Sequence, residues 1–61
     1  MNKKYVIRIY MVNGAKDEWR SGEWDHYKLV DNLFFVVIKN KRWIGFYPIK
    51  YVYRISVRED D

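Results

Sequence analysis

Apolar and polar side chains alternate with period two along most of this chain. In KYVIRIYMV, residues 4–12, Tyr5, Ile7, Ile9 and Met11 fall on one side, with Lys4, Val6, Arg8, Tyr10 and Val12 on the other. That is the pattern of a strand whose outer face is partly apolar. Asn13 and Gly14 follow, two residues that enter positive φ readily, so the chain turns there. The next segment, AKDEWRSGEW at 15–24, begins with helix-tolerant residues but carries Ser21 and Gly22 in its second half. It is too short for a helix with a full apolar stripe. It reads as a long loop or an irregular hairpin anchored by Trp19 and Trp24.

The second half is more strongly patterned. DHYKLV at 25–30 makes a strand, Asp31 and Asn32 a turn, and LFFVVIK at 33–39 the strongest strand of all, being almost wholly β-branched and aromatic. Both of its alternating sets are apolar, which predicts a central strand covered on each face. Lys39, Asn40 and Lys41 form a tight connection to a strand at 42–47. Gly45 inside it marks a bulge, a bend or the close approach of another backbone. Pro48 has no N–H for a ladder and ends that strand. Residues 49–52 have the length of one helical turn, and the last strand is 53–58, with Tyr53, Ile55 and Val57 inward and Arg54, Ser56 and Arg58 outward. Phe35, Val37, Ile44, Phe46 and Ile55 are the expected core, with Tyr5, Phe34 and Tyr53 placed beside them.

Five short strands, a long early loop, two tight middle connections and a helical turn before the last strand predict a single all-β domain over residues 1–61. Its expected form is a small, strongly bent antiparallel barrel. In the number and spacing of its segments the chain resembles the SH3-like barrel. The resemblance implies that the first and last strands are neighbours. The acidic and aromatic signature that peptide-binding members carry in their first long loop is absent here, so the resemblance extends to architecture alone.

Composition sharpens this picture. A 61-residue chain buries only about 60% of the surface its unfolded form exposes, so its core must be built from large side chains. Three Trp, six Tyr and three Phe meet that need and exceed what so small a core can hide. There is no Cys, hence neither a disulfide staple nor a thiolate metal site, which suits a reducing, cytoplasmic setting. Arg8 interrupts the first apolar run and no small-residue cleavage site follows it, so the run reads as a strand and not as a leader. The longest apolar run, 33–38, is far too short to span a bilayer.

The net charge of +4 is unevenly spread. Residues 1–31 carry six basic and five acidic side chains, whereas 32–58 carry Lys39, Lys41, Arg42, Lys50, Arg54 and Arg58 with no acid at all. Acids return as Glu59, Asp60 and Asp61, which read as a frayed end. The acid-free span gives the second half a positive field attractive to phosphates or to an acidic protein surface.

Catalytic chemistry is hard to assemble from these residues. His26 is the only histidine, and its neighbour Asp25 points to the opposite face of a strand. Ser56 lies between two outward arginines without an activating base. Glycines 14, 22 and 45 are too far apart for a phosphate-cradling loop. Neither metal nor small-molecule cofactor is implied, nor a membrane. The expectation is a non-catalytic module that binds another protein, or a second copy of itself, through Tyr10, Trp19, Trp24, Trp43 and Tyr51, since interfaces favour Tyr, Trp and Arg. The alternative is a nucleic-acid surface led by Arg8, Arg54 and Arg58, with Lys39, Lys41 and Arg42 as a second contact.

Overall fold

In the computed structural model, which describes residues 4–59, the chain forms six strands and one 3-10 turn. They are β1 (Tyr5–Met11), β2 (Lys16–Trp19), β3 (His26–Val30), β4 (Phe34–Lys39), β5 (Arg42–Pro48), the turn Ile49–Tyr51 and β6 (Val52–Glu59). No α-helix occurs among the described residues. The strands make two three-stranded antiparallel sheets, ordered β2-β1-β6 and β3-β4-β5.

The expected closed, five-stranded, SH3-like barrel is therefore incorrect. No ladder joins β2 or β6 of the first sheet to β3 or β5 of the second. The cause lies at Arg20–Asp25, where a strand running from one sheet into the other would have closed the barrel. There the Glu23 N–H donates to the Arg20 carbonyl across a β-turn with Gly22 at φ +94°, and the Arg20 N–H donates to Glu23 Oε1 at 2.6 Å. Only glycine takes that φ without strain, so the chain bends out of the ladder at this point. The region read as a loop also contains β2, whose four residues pair with β1 from Ile7↔Trp19 to Tyr10↔Lys16.

Local sequence accounts for the other connections. Asp31 and Asn32, then Asn40 and Lys41, all adopt positive φ: the first pair opens a three-residue loop between paired Val30 and Phe34, and the second is the two-residue hairpin loop between paired Lys39 and Arg42. The Leu33 N–H closes the first of these on the Val30 carbonyl at 2.9 Å. The helical turn lies where Pro48 releases the chain from β5. β6 returns beside β1, so the terminal strands are neighbours, as expected.

The sheets face each other across Ile7 and Ile9 of β1 and Phe35, Val37 and Tyr47 of β4 and β5, with Met11, Trp19, Trp24, Ile49, Val52 and Ile55 packed around them. β4 is central, with Phe35, Val36, Val37 and Ile38 all buried, so both of its faces are covered as its sequence predicts. The inward face of β5 is the reverse of the expected one. Gly45 and Tyr47 point to the core, whereas Ile44 and Phe46 are exposed; Tyr5 and Tyr53 are exposed too. A bulge sets the phase of β5: Ile38 pairs with Trp43, but Val37 already pairs with Gly45, so Ile44 is the extra residue. Gly45 faces inward because a Cβ there would stand 2.9 Å from Cζ2 of the Trp19 ring and 3.1 Å from the Val37 Cβ. The strand glycine flanks a bulge, as expected, but what approaches it closely is the Trp19 side chain and not another backbone.

One polar relay crosses this core. The Trp19 indole N–H donates to the Tyr47 hydroxyl at 2.9 Å, and that hydroxyl donates to Asp17 Oδ2 at 2.7 Å, tying β2 to β5. The Tyr47 hydroxyl is pushed up from 10.0 to about 12, first by burial and then by the hydrogen bond and negative charge of Asp17, with the Trp19 donor acting in the opposite sense.

Candidate functional site

Strand alternation places three rows of side chains on the outer face of the second sheet. His26, Ile38 and Trp43 form one row, Lys28, Val36 and Phe46 the next, and Val30, Phe34 and Pro48 the last. Val36 and Ile38 are buried although they face away from the interior, and their cross-strand partners on that face are Phe46 and Trp43. Phe46 is central to this face. Its ring stacks on Phe34 at 4.6 Å between centroids and on Trp43 at 6.2 Å, with interplanar angles of 29° and 20°. Lys28 Nζ lies 5.3 Å from the Trp43 ring centroid, close enough for a cation–π contact. Phe46 nevertheless remains 50% exposed and Trp43 52%.

The patch continues past Phe34 into an open groove of about 600 Å³ between the β3–β4 turn and the helical turn, lined by Leu33, Phe34, Pro48, Ile49 and Tyr51 with Asn32 and Lys50. The Ile49 N–H donates to the Leu33 carbonyl at 2.9 Å and fixes the two walls. Leu33 and Tyr51 are exposed there, and Lys50 Nζ lies over the Tyr51 ring at 5.1 Å. A solvated sheet face needs none of this apolar area. A contiguous exposed apolar surface with a cationic border is a feature of contact sites.

The five aromatic residues expected to form a binding surface are not brought together. Trp43 belongs to the outer patch and Tyr51 to the groove. Tyr10 lies on the outer face of the first sheet, where its ring meets Tyr53 at 6.1 Å and Arg54 at 5.7 Å. Trp19 and Trp24 pack against the core. Trp24 contacts the Tyr27 ring at 5.9 Å, and its indole N–H is buried with no acceptor among the described residues. Phe34, Phe46, Lys28 and Leu33 are the members that sequence reasoning missed. The available signal was the doubly apolar run 33–38, whose second set had to lie on the outer face of a three-stranded sheet.

The basic residues are likewise divided. Arg8, Arg54 and Arg58 do share the outer face of the first sheet, since Arg8 pairs with Ser56, Tyr10 with Arg54 and Val6 with Arg58. Arg8 is engaged by Glu18 at 3.3 Å, and Arg20 holds the other oxygen of that carboxylate at 3.2 Å. Lys39 turns away to donate to the Gly22 carbonyl, leaving Lys41 and Arg42 at the β4–β5 hairpin. His26 is exposed, and no group of three or more His, Cys, Asp or Glu able to hold a metal occurs among the described residues. No helix among them is long and apolar enough to cross a membrane. Comparison with family models, with curated proteins and with solved structures finds no match to the chain.

Proposed function

We propose that this chain is a non-catalytic protein-binding module whose contact surface is the Phe34–Phe46–Trp43 face and its adjoining groove. Its partner is a different protein presenting apolar side chains bordered by acidic ones. The observation that carries this reading is the mutual stacking of the three rings. Phe46 stacks with Phe34 and with Trp43, and Lys28 lies over Trp43, so each of the three rings already has a neighbour while Phe46 and Trp43 keep about half their surface for a partner. A nucleobase needs a free ring face on which to stack, whereas aliphatic side chains pack well against ring edges and into a groove. Lys28 and Lys50 border the apolar area, and residues 32–58 contain no acid, which favours an acidic rim on the partner and disfavours a second copy of this chain.

A photo-crosslinking residue in place of exposed Ile44, in the parent and in a Trp43→Ser/Phe46→Ser variant of matched folding, tests this. The parent should crosslink a discrete protein from its source cell, and the variant should lose that product. Equal crosslinking by both would overturn the proposal, as would crosslinks to the chain's own copies alone. So would oligonucleotide binding near 0.15 M salt that the double substitution abolishes.

A further inference from the structure

We propose that the free edge of β6 docks an extended acidic segment of another protein, which adds as a fourth strand to the first sheet. This site is separate from the aromatic face of the second sheet.

The four sheet edges are unequally protected. β2 has four residues, three of them charged; β5 has a bulge and ends at Pro48; β3 has five residues with Lys28 at its centre. Short length, charge, proline and bulges are the ordinary means of blunting an edge. β6 has eight residues, and its bulge is confined to Tyr53 near its start. From Arg54 to Glu59 it runs in unbroken register with β1 and pairs with no other strand among the described residues. Its outward backbone groups are thus offered as a regular template.

The core is open along the same edge. Ile7 and Ile9 of β1 are fully buried, yet their β6 partners are not: Val57, opposite Ile7, is 36% exposed, and Ile55, opposite Ile9, is only partly buried. A strand laid beside β6 with aliphatic residues on its inner face would cover both.

Charge selects the occupant. Arg54 and Arg58 project from the outer face on either side of Ser56, and neither has a carboxylate within ion-pair distance among the described residues. A second β6, paired antiparallel about Ser56 with outer faces continuous, would set Arg54 against Arg58 of the other copy twice, and like charges directly opposite are unfavourable. Glu59 lies on the alternate face and cannot relieve this. The complementary segment carries acidic residues at alternate positions and aliphatic residues between them, bound through main-chain hydrogen bonds in strand addition.

An octapeptide of alternating Glu and Val, titrated near 0.15 M salt, is the probe, with alternating Lys and Val as its counterpart. The Glu peptide should bind and the Lys peptide should not. An Arg54→Glu/Arg58→Glu variant with an unchanged denaturation midpoint should weaken Glu-peptide binding by about tenfold or more and accept the Lys peptide instead. N-methylation of alternate peptide amides should abolish binding in one phase and spare it in the other, because only one set of N–H groups faces β6. Equal binding of both methylated forms would reduce the effect to charge attraction and overturn the proposal. Failure of the Glu peptide to bind at millimolar concentration would also overturn it, as would self-association lost in the charge-reversed variant.

Discussion

The two sheets are alike in size and opposite in what they show to solvent. The outer face of the first carries Lys16, Glu18, Arg8, Tyr10, Arg54, Ser56 and Arg58 around a single buried Val6, with an ion pair from Arg8 to Glu18. The outer face of the second carries Phe34, Phe46 and Trp43 beside Val36 and Ile38. Both contribute to the same interior through Ile7 and Ile9 on one side and Phe35, Val37 and Tyr47 on the other. The second outer face is therefore apolar beyond what the fold demands, and exposed apolar area opposes solubility unless something covers it. The contrast separates side chains that hold this protein together from side chains held for a partner.

The largest effect should come from exchanging those roles on one sheet. Phe35→Ala opens the interior and should cost about 3–5 kcal/mol, enough to unfold much of the population of so small a domain. Phe46→Ala, on the opposite face, loses two ring contacts of about 0.5–1.5 kcal/mol each in addition to some covered area. Urea denaturation should rank Phe35→Ala well below Phe46→Ala, and the reverse order would exchange the assigned faces. The seam between the sheets comes next. Gly45→Ala puts a methyl group against the Trp19 ring and Val37 and should cost about 1–3 kcal/mol, with a measurable change in tryptophan fluorescence as Trp19 moves.

Tyr47→Phe should have the smallest effect at neutral pH, about 1–2 kcal/mol, by removing the hydroxyl that joins Trp19 to Asp17. Its pH dependence is more telling. The folded state holds this phenolic proton more tightly than the unfolded chain, at about 12 against 10.0. The contribution is then complete below pH 10 and is lost as pH rises towards 12. The stability difference between the parent and Tyr47→Phe should stay level up to pH 10 and shrink above it, as measured by denaturation at a series of pH values. A difference that grows above pH 10 would place the relay elsewhere.

Strand positions and turns were legible in the sequence because their causes are local. Period-two patterning located β1, β3, β4, β5 and β6 to within a residue or two, Asp31–Asn32 and Asn40–Lys41 supplied the positive-φ pairs, and Pro48 preceded the helical turn. The outward strip of Arg54, Ser56 and Arg58 was equally readable, since alternation along one strand is enough to define it. β2 was not, because Lys16–Trp19 has little strand character of its own and becomes a strand only by pairing with β1. Nor could alternation say which side of β5 faces inward. Ile44 and Phe46 are the more apolar choice, but a single bulged residue resets the phase, and the Trp19 ring packs where a Cβ on residue 45 would stand 2.9 Å from it. The opening of the expected barrel into two sheets was decided in the same way, by a turn at Arg20–Glu23 competing with continuation of a ladder. Sequence by itself determined where this chain is extended and where it bends, because backbone preference and alternation act over a few neighbouring residues. Only the tertiary structure decided which faces meet, and hence which aromatic rings are core and which are surface, because that choice rests on shape complementarity between residues such as Trp19 and Gly45, 26 positions apart.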